Sequence, residues 1–121
     1  MQLTLPWPPS VNRYYRQYKG RAIISKEGRE YRNTVVRTAW VTPYKTMTGL
    51  LSVSLVLYPP DRRRRNIDNI LKALLDSMCK AGIYADDSQI KQLCIDMYAY
   101  QAPGSVVVTI EEIPPCAPSS P

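Results

Sequence analysis

Asp68, Lys72 and Asp76 recur at every fourth position of the segment IDNILKALLDSM, and a pair of acids, Asp86 and Asp87, follows a few residues later. In a helix that spacing sets Asp68, Lys72 and Asp76 in one row on one face. Carboxylates beside a lysine suit phosphodiester hydrolysis. A hard cation polarises the phosphate and lowers the pKa of a water, and Mg²⁺ takes oxygens from one or two carboxylates while keeping several waters. Asp68 with Asp86 or Asp87 can supply those oxygens, and Lys72 can neutralise charge that develops on the phosphate. Plainer readings exist for the same residues. Asp68 and Lys72 at i, i+4 also make an ordinary surface ion pair, and Asp86-Asp87-Ser88 is common turn vocabulary.

Four arginines, Arg62, Arg63, Arg64 and Arg65, stand directly before this helix. There they read either as a phosphate clamp or as a solvated charge run. A second basic stretch, RYYRQYKGR, interleaves Arg13, Arg16, Lys19 and Arg21 with Tyr14, Tyr15 and Tyr18. Its cations can contact phosphates and its rings can stack on exposed bases, although at least one of the tyrosines is expected to pack on the sheet edge.

The charge of the whole chain supports a polyanionic partner. The formal net charge is +6 and it is uneven, with eight basic residues against Glu27 and Glu30 between Arg13 and Arg37, and three lysines against seven acids from Asn66 onward. A basic part with a separate acidic cluster suits a protein that holds nucleic acid by its phosphates and treats it with a metal; a solvated basic surface with no partner is the plainer alternative on charge alone. No histidine is present, which removes Ser-His-Asp and Cys-His nucleophiles and His-ligated zinc. Cys79, Cys94 and Cys116 are odd in number and lack a C-x-x-C spacing, so neither a disulfide framework nor structural zinc is indicated.

The elements that must position these groups follow from periodicity. Leu3, Leu5 and Trp7 alternate with polar or proline positions, a short strand stopped by Pro8-Pro9. A loop then leads to a brief strand, Ala22 to Ile24. Ser25 caps a helix running to about Val41, with Tyr31, Val35, Val36, Ala39 and Trp40 on its apolar face and Pro43 ending it. Leu51 to Tyr58 is the clearest strand. The second helix spans about Ile67 to Lys80, with Ile67, Ile70, Leu71, Leu74, Leu75 and Met78 inward and Gly82 past its end. Two more alternating segments, Ile90 to Tyr100 and Ser105 to Ile113, read as a hairpin. The order ββαβαββ predicts an α/β chain of the α+β type, one domain over residues 1–113 with a mixed sheet and two helices. Residues 114–121, PPCAPSSP from Pro114 on the Ile113 side, are expected to be a disordered Pro/Ser-rich tail. With neither an apolar run of spanning length nor a signal-like start, the chain is expected to act in the cytoplasm with no membrane partner.

The start LPWPPSVNRYYR, the block PDRRRRNIDNILKALLD and the stretch KAGIYADDSQI, in that order and spacing, resemble the RusA family of Holliday junction resolvases over nearly the whole ordered chain. The resemblance implies a homodimer that binds four-way DNA junctions and makes paired nicks, with Mg²⁺ or Mn²⁺ as cofactor. It also implies a catalytic set of three aspartates and a lysine. Carried onto this sequence, the set is Asp68, Lys72 and Asp87, with Asn66 where the family pattern has its first aspartate. Asp68, Asp87 and Asn66 are then the metal positions, and Arg13, Tyr14, Arg16, Lys19 and Arg62 to Arg65 the DNA-binding ones. An amide oxygen in place of a carboxylate weakens such a site, so cleavage is expected to be impaired while binding persists. Asn66 should serve the helix as an N-cap. A non-catalytic nucleic-acid-binding protein is the alternative the same residues allow.

Overall fold

The computed structural model describes residues 1–41 and 44–114. In chain order the elements are β1 (Gln2–Pro6), α1 (Val11–Tyr14), β2 (Tyr15–Tyr18), β3 (Arg21–Ile24), α2 (Lys26–Val41), β4 (Leu51–Tyr58), α3 (Asp68–Lys80), a 3-10 turn (Asp87–Gln89), β5 (Ile90–Met97) and β6 (Ser105–Glu112). The expected α+β architecture is present, with two long helices on a mixed four-stranded sheet. Two pieces are additional. Where the sequence suggests a loop leading to the strand at Ala22 to Ile24, the chain forms the one-turn α1 and a strand β2, and β2 pairs with the expected strand, β3, in a hairpin apart from the main sheet. Lys19 and Gly20 close that hairpin with φ of 49° and 75°, the left-handed pair that a two-residue turn requires.

The sheet order is β1-β6-β4-β5, with β5 parallel to β4 and the other pairs antiparallel. The expected hairpin between the last two strands therefore does not form. Their composition explains why. β6 buries Val106, Val108 and Ile110 and needs neighbours on both sides, whereas β5 carries Lys91, Gln92, Cys94 and Asp96 exposed and suits an edge. The connection 98–104 carries the chain across the end of β4. It is held there by the Tyr98 N–H donating to the Leu57 carbonyl at 2.9 Å and the Gln101 N–H to that of Pro59 at 2.8 Å.

One face of the sheet makes the core. Leu3 and Leu5 of β1, Leu51, Val53, Leu55 and Leu57 of β4, and the three β6 residues meet Tyr31, Val35 and Ala39 of α2 and Ile70, Leu74 and Met78 of α3. Fully burying each such aliphatic side chain contributes about 1.5–3 kcal/mol. The apolar face of α2 is narrower than the sequence suggests: Val36 is half-buried and Trp40 is 75% exposed, because the row 31–35–39 already fills the groove over the sheet. Ile67, expected inward, precedes α3 and is exposed. Ser25 caps α2 as its position predicts, its Oγ accepting from the Gly28 N–H at 2.9 Å. Gly82 takes φ of 80° beyond α3. Pro43, Cys116 and residues 115–121 of the proposed tail lie outside the described residues.

Candidate active site and nucleic-acid interface

The polar face of α3 is anchored at its middle. Asp76 Oδ2 accepts from Arg32 of α2 at 2.8 Å and from the Tyr14 hydroxyl, and Arg32 also donates to that hydroxyl at 3.2 and 3.3 Å. Burial alone would raise the pKa of Asp76, but the bonds from Tyr14 and Arg32 outweigh it and lower the value, with Lys72 adding to the effect. Tyr14 can reach this position because the first turn of α2 carries a glycine, Gly28, there. A Cβ on Gly28 would stand 2.4 Å from the Tyr14 carbonyl oxygen. Tyr14 is thus fully buried, which corrects the expectation that it contacts DNA; its hydroxyl belongs to the interior. Burial and the adjacent carboxylate raise its pKa, so it stays a donor.

Asp87, in the 3-10 turn after α3, faces the same row. Burial raises its pKa, Asp76 and Asp86 push the same way, and Tyr84 and Lys72 oppose them. The single proton of the Tyr84 hydroxyl goes to the Leu75 carbonyl at 2.6 Å, and Asp87 Oδ1 is buried with no hydrogen-bond partner. Asp86 is spent on the turn instead: its carboxylate accepts from the Ser88 N–H at 3.1 Å, and the Gln89 side chain closes a capping box. Of the two acids left open by the sequence, Asp87 is the one with a buried oxygen left unpaired.

Asp68 and Lys72 occupy the exposed first turns of α3, on the same face as Asp76. Among the described residues no group of three or more His, Cys, Asp or Glu side chains converges on one point. The oxygen donors that the sequence nominates are the carboxylates of Asp68 and Asp87 and the amide of Asn66. An all-oxygen set with one buried, unpaired carboxylate oxygen fits a hard divalent cation, which needs only one or two carboxylates. Asn66 does not cap α3. Ile67 holds the N-cap position and no side chain caps the helix, while Asn66 contributes its carbonyl to the Asn69 N–H at 3.2 Å. Its amide is exposed and remains available.

The four arginines have different surroundings. Arg65 is gripped by Asp61, with Nη1–Oδ1 at 2.7 Å and Nη2–Oδ2 at 3.1 Å, and its guanidinium lies 5.8 Å from the Trp7 ring centre. That grip holds the Asp61 carboxyl well below the usual carboxylate range. Arg63 makes a looser pair with Asp61 at 3.5 Å, and Arg62 sits over the Tyr100 ring at 5.2 Å. Arg64 has neither an ion pair nor a ring partner among the described residues. Arg65 therefore staples the turn, and the other three are exposed.

Between this turn, the Pro6–Arg13 segment and the first half of α2 lies a cleft of about 720 Å³. Its walls include Trp7, Arg13, Arg63, Arg64, Asn66 and Asn69. On the β2–β3 hairpin, Arg16 and Lys19 flank the half-exposed Tyr18 ring at 5.6 and 5.4 Å, while Tyr15 packs edge-on against Tyr14. The structure brings Lys72, Asp76 and Asp87 together and places Asn66 at the cleft. Sequence reasoning missed Arg32, for which no local pattern exists, and the role of Asp61, which stands four residues before Arg65 at helix-like spacing.

A model of the family described as endodeoxyribonuclease RusA matches residues 6–111. The chain is 40% identical over 114 residues to a crossover junction endodeoxyribonuclease RusA of Shigella sonnei (strain Ss046), covering 92% of this chain and 93% of that one. A protein of the same name from Escherichia coli (strain K12) is 39% identical over 114 residues, and one from Enterobacteria phage 82 is 38% identical over 112 residues, with the same coverage.

Proposed function

The chain belongs to the RusA family of endodeoxyribonucleases, and we infer that it is a Holliday junction resolvase, an endonuclease that binds DNA junctions and hydrolyses phosphodiester bonds in them. The observation that carries the catalytic reading is the unpaired Asp87 oxygen beside the row that includes Lys72. Asp68 and Asp87, with the Asn66 amide oxygen, would hold Mg²⁺ or Mn²⁺. When bound, the cation would polarise the scissile phosphate and lower the pKa of a water. Lys72 would sit against the phosphate and stabilise charge that develops on it. Asp76, held by Arg32 and Tyr14, would keep Lys72 extended towards the phosphate instead of folded back onto the helix.

Binding is assigned to Arg13, Arg63 and Arg64 in the cleft, to Arg16 and Lys19 with Tyr18 on the β2–β3 hairpin, and to Arg62 on the turn, Arg65 supporting them. A homodimer would place two such surfaces about a two-fold axis matching that of the junction. The unit that does this is residues 1–113, with 114–121 a dispensable tail, and its DNA substrate places its work in the cytoplasm. No helix among the described residues is long and apolar enough to cross a membrane.

Asn66 favours a second reading for the chain as it stands, a junction binder that cuts poorly. A neutral carbonyl oxygen contributes less to a hard cation than a carboxylate does. A labelled four-way junction and a linear duplex of matching sequence distinguish the readings. Preferential retardation of the junction with slow, EDTA-sensitive nicking supports the resolvase. Selective retardation with no nicking at any Mg²⁺ or Mn²⁺ concentration, in the Asn66→Asp variant as well, leaves binding alone.

A further inference from the structure

Two tyrosines to which no binding role has been assigned stand on the connection that crosses the end of β4. Tyr98 is 56% exposed and Tyr100 is 44% exposed, in the sequence YAYQAPG between β5 and β6. The connection is not slack. Tyr98 and Gln101 donate backbone hydrogen bonds to Leu57 and Pro59, and Gly104, at φ of 94°, lies so close to Pro60 that a Cβ there would stand 3.0 Å from three Pro60 atoms. Tyr58 of β4 braces Tyr98 edge-on, with ring centres 5.8 Å apart and planes at 76°. The Arg62 guanidinium lies against Tyr100. Pro60 and Pro103, at either end of this arrangement, line the cleft that also contains Arg63, Arg64 and Asn66.

We propose that Tyr98, Tyr100 and Arg62 form a stacking platform for unpaired nucleobases at the rim of the cleft. The proposal rests on the nucleic-acid reading above and extends it to a surface made by the β5–β6 connection. A tyrosine with a cation at its ring and much of its surface open is suited to a base, because every base has a π-face and the guanidinium adds a phosphate or base-edge contact. Rings fixed by a tied backbone lose little conformational freedom on binding. The positive charge of Arg62 and its neighbours selects a polyanion over an apolar protein partner. At a four-way junction the bases beside the crossover are the ones most easily unstacked, and the platform would receive one as the neighbouring phosphate enters the cleft.

The test compares the parent chain with Tyr98→Ala/Tyr100→Ala and with Tyr98→Phe/Tyr100→Phe, each on a four-way junction and on single-stranded oligothymidylate. Stacking of one base predicts binding to oligothymidylate weaker by about five-fold or more in the alanine variant. The phenylalanine variant should bind as the parent does, and the slope of affinity against salt should not change, since no phosphate contact is lost. Photo-crosslinking from 5-iodouracil at the branch point should label Tyr98 or Tyr100. Unchanged affinity of the alanine variant for both DNAs, with crosslinks only to other segments, overturns the platform. So does a dimer that becomes monomeric on alanine substitution, which would make the patch a subunit interface. If the parent shows no preference for the junction over duplex while the alanine variant still loses oligothymidylate binding, the platform stands and the resolvase reading falls.

Discussion

Asp87, the carboxylate proposed to hold the cation, is where that function would oppose stability. A carboxyl whose pKa is raised in the folded chain binds its proton more tightly there than when unfolded, so its ionised form near neutral pH works against folding. Asp87→Asn should therefore raise Tm at neutral pH, by an amount on the order of 2 °C, while removing nicking measured in an Asn66→Asp background. A fall in Tm would mean that the charge is already compensated. The arginines offer a second contrast. Arg64→Ala should leave Tm unchanged and lower the salt slope of junction binding by about one contact. Arg65→Ala should instead lower Tm, because Arg65 is bonded to Asp61 at both Nη atoms and stacked near Trp7. Scanning calorimetry and salt-dependent retardation separate the two effects. In the sequence the four look alike. Their difference depends on Trp7 and Tyr100, which reach them only through the fold, and on which of them the turn brings back onto Asp61.

At the scale of elements, α1, α2 and α3 are joined by Tyr14, Arg32 and Asp76. The side chains of Arg32 and Asp76 are 26% and 17% exposed, so breaking the pair by Asp76→Ala should destabilise the chain by about 2 kcal/mol, less than the 3–5 kcal/mol of a fully buried pair. Asp76 is a lowered-pKa carboxyl, and its contribution is complete above the ordinary value of 3.8 and is lost as pH falls through the lower folded value. The stability difference between the parent and Asp76→Asn should thus narrow in acid unfolding below about pH 3.8 and stay constant above it. The row Asp68, Lys72, Asp76 was legible because helical spacing is local, and both helices, the cap at Ser25 and the strand at Leu51–Tyr58 followed from the same periodicities. The β2–β3 hairpin was not, because its turn uses Lys19 in the left-handed region where Asn or Gly is the usual signal. The order of β5 and β6 was not legible either. Alternation marks strands but does not say which strand lies between which, and the choice falls to how much apolar surface each must bury on both sides.

For the molecule as a whole, Arg13 and the Arg63–Arg65 turn line one cleft, and Asp68 and Asp76 lie along the helix that starts beside it. Phosphate contacts from both sides of the cleft should make junction binding steeply dependent on salt, with a loss of about 10³-fold or more between 50 and 200 mM. Sedimentation across a concentration series should show a dimer under the same conditions, and a monomer that still selects junctions would contradict the two-fold arrangement. The central claim is that this is a resolvase site complete in its protein groups except at one ligand. Losing a supporting group around a metal typically lowers affinity or activity 10- to 100-fold, and restoring a direct ligand should gain at least as much. The direct measurement is the nicking rate of a labelled four-way junction with Mg²⁺ by the parent and by Asn66→Asp. A gain of about tenfold or more, in paired symmetric nicks and with junction affinity little changed, is the result the account predicts. Equal rates, or no nicking by either protein while both still bind the junction, would contradict it.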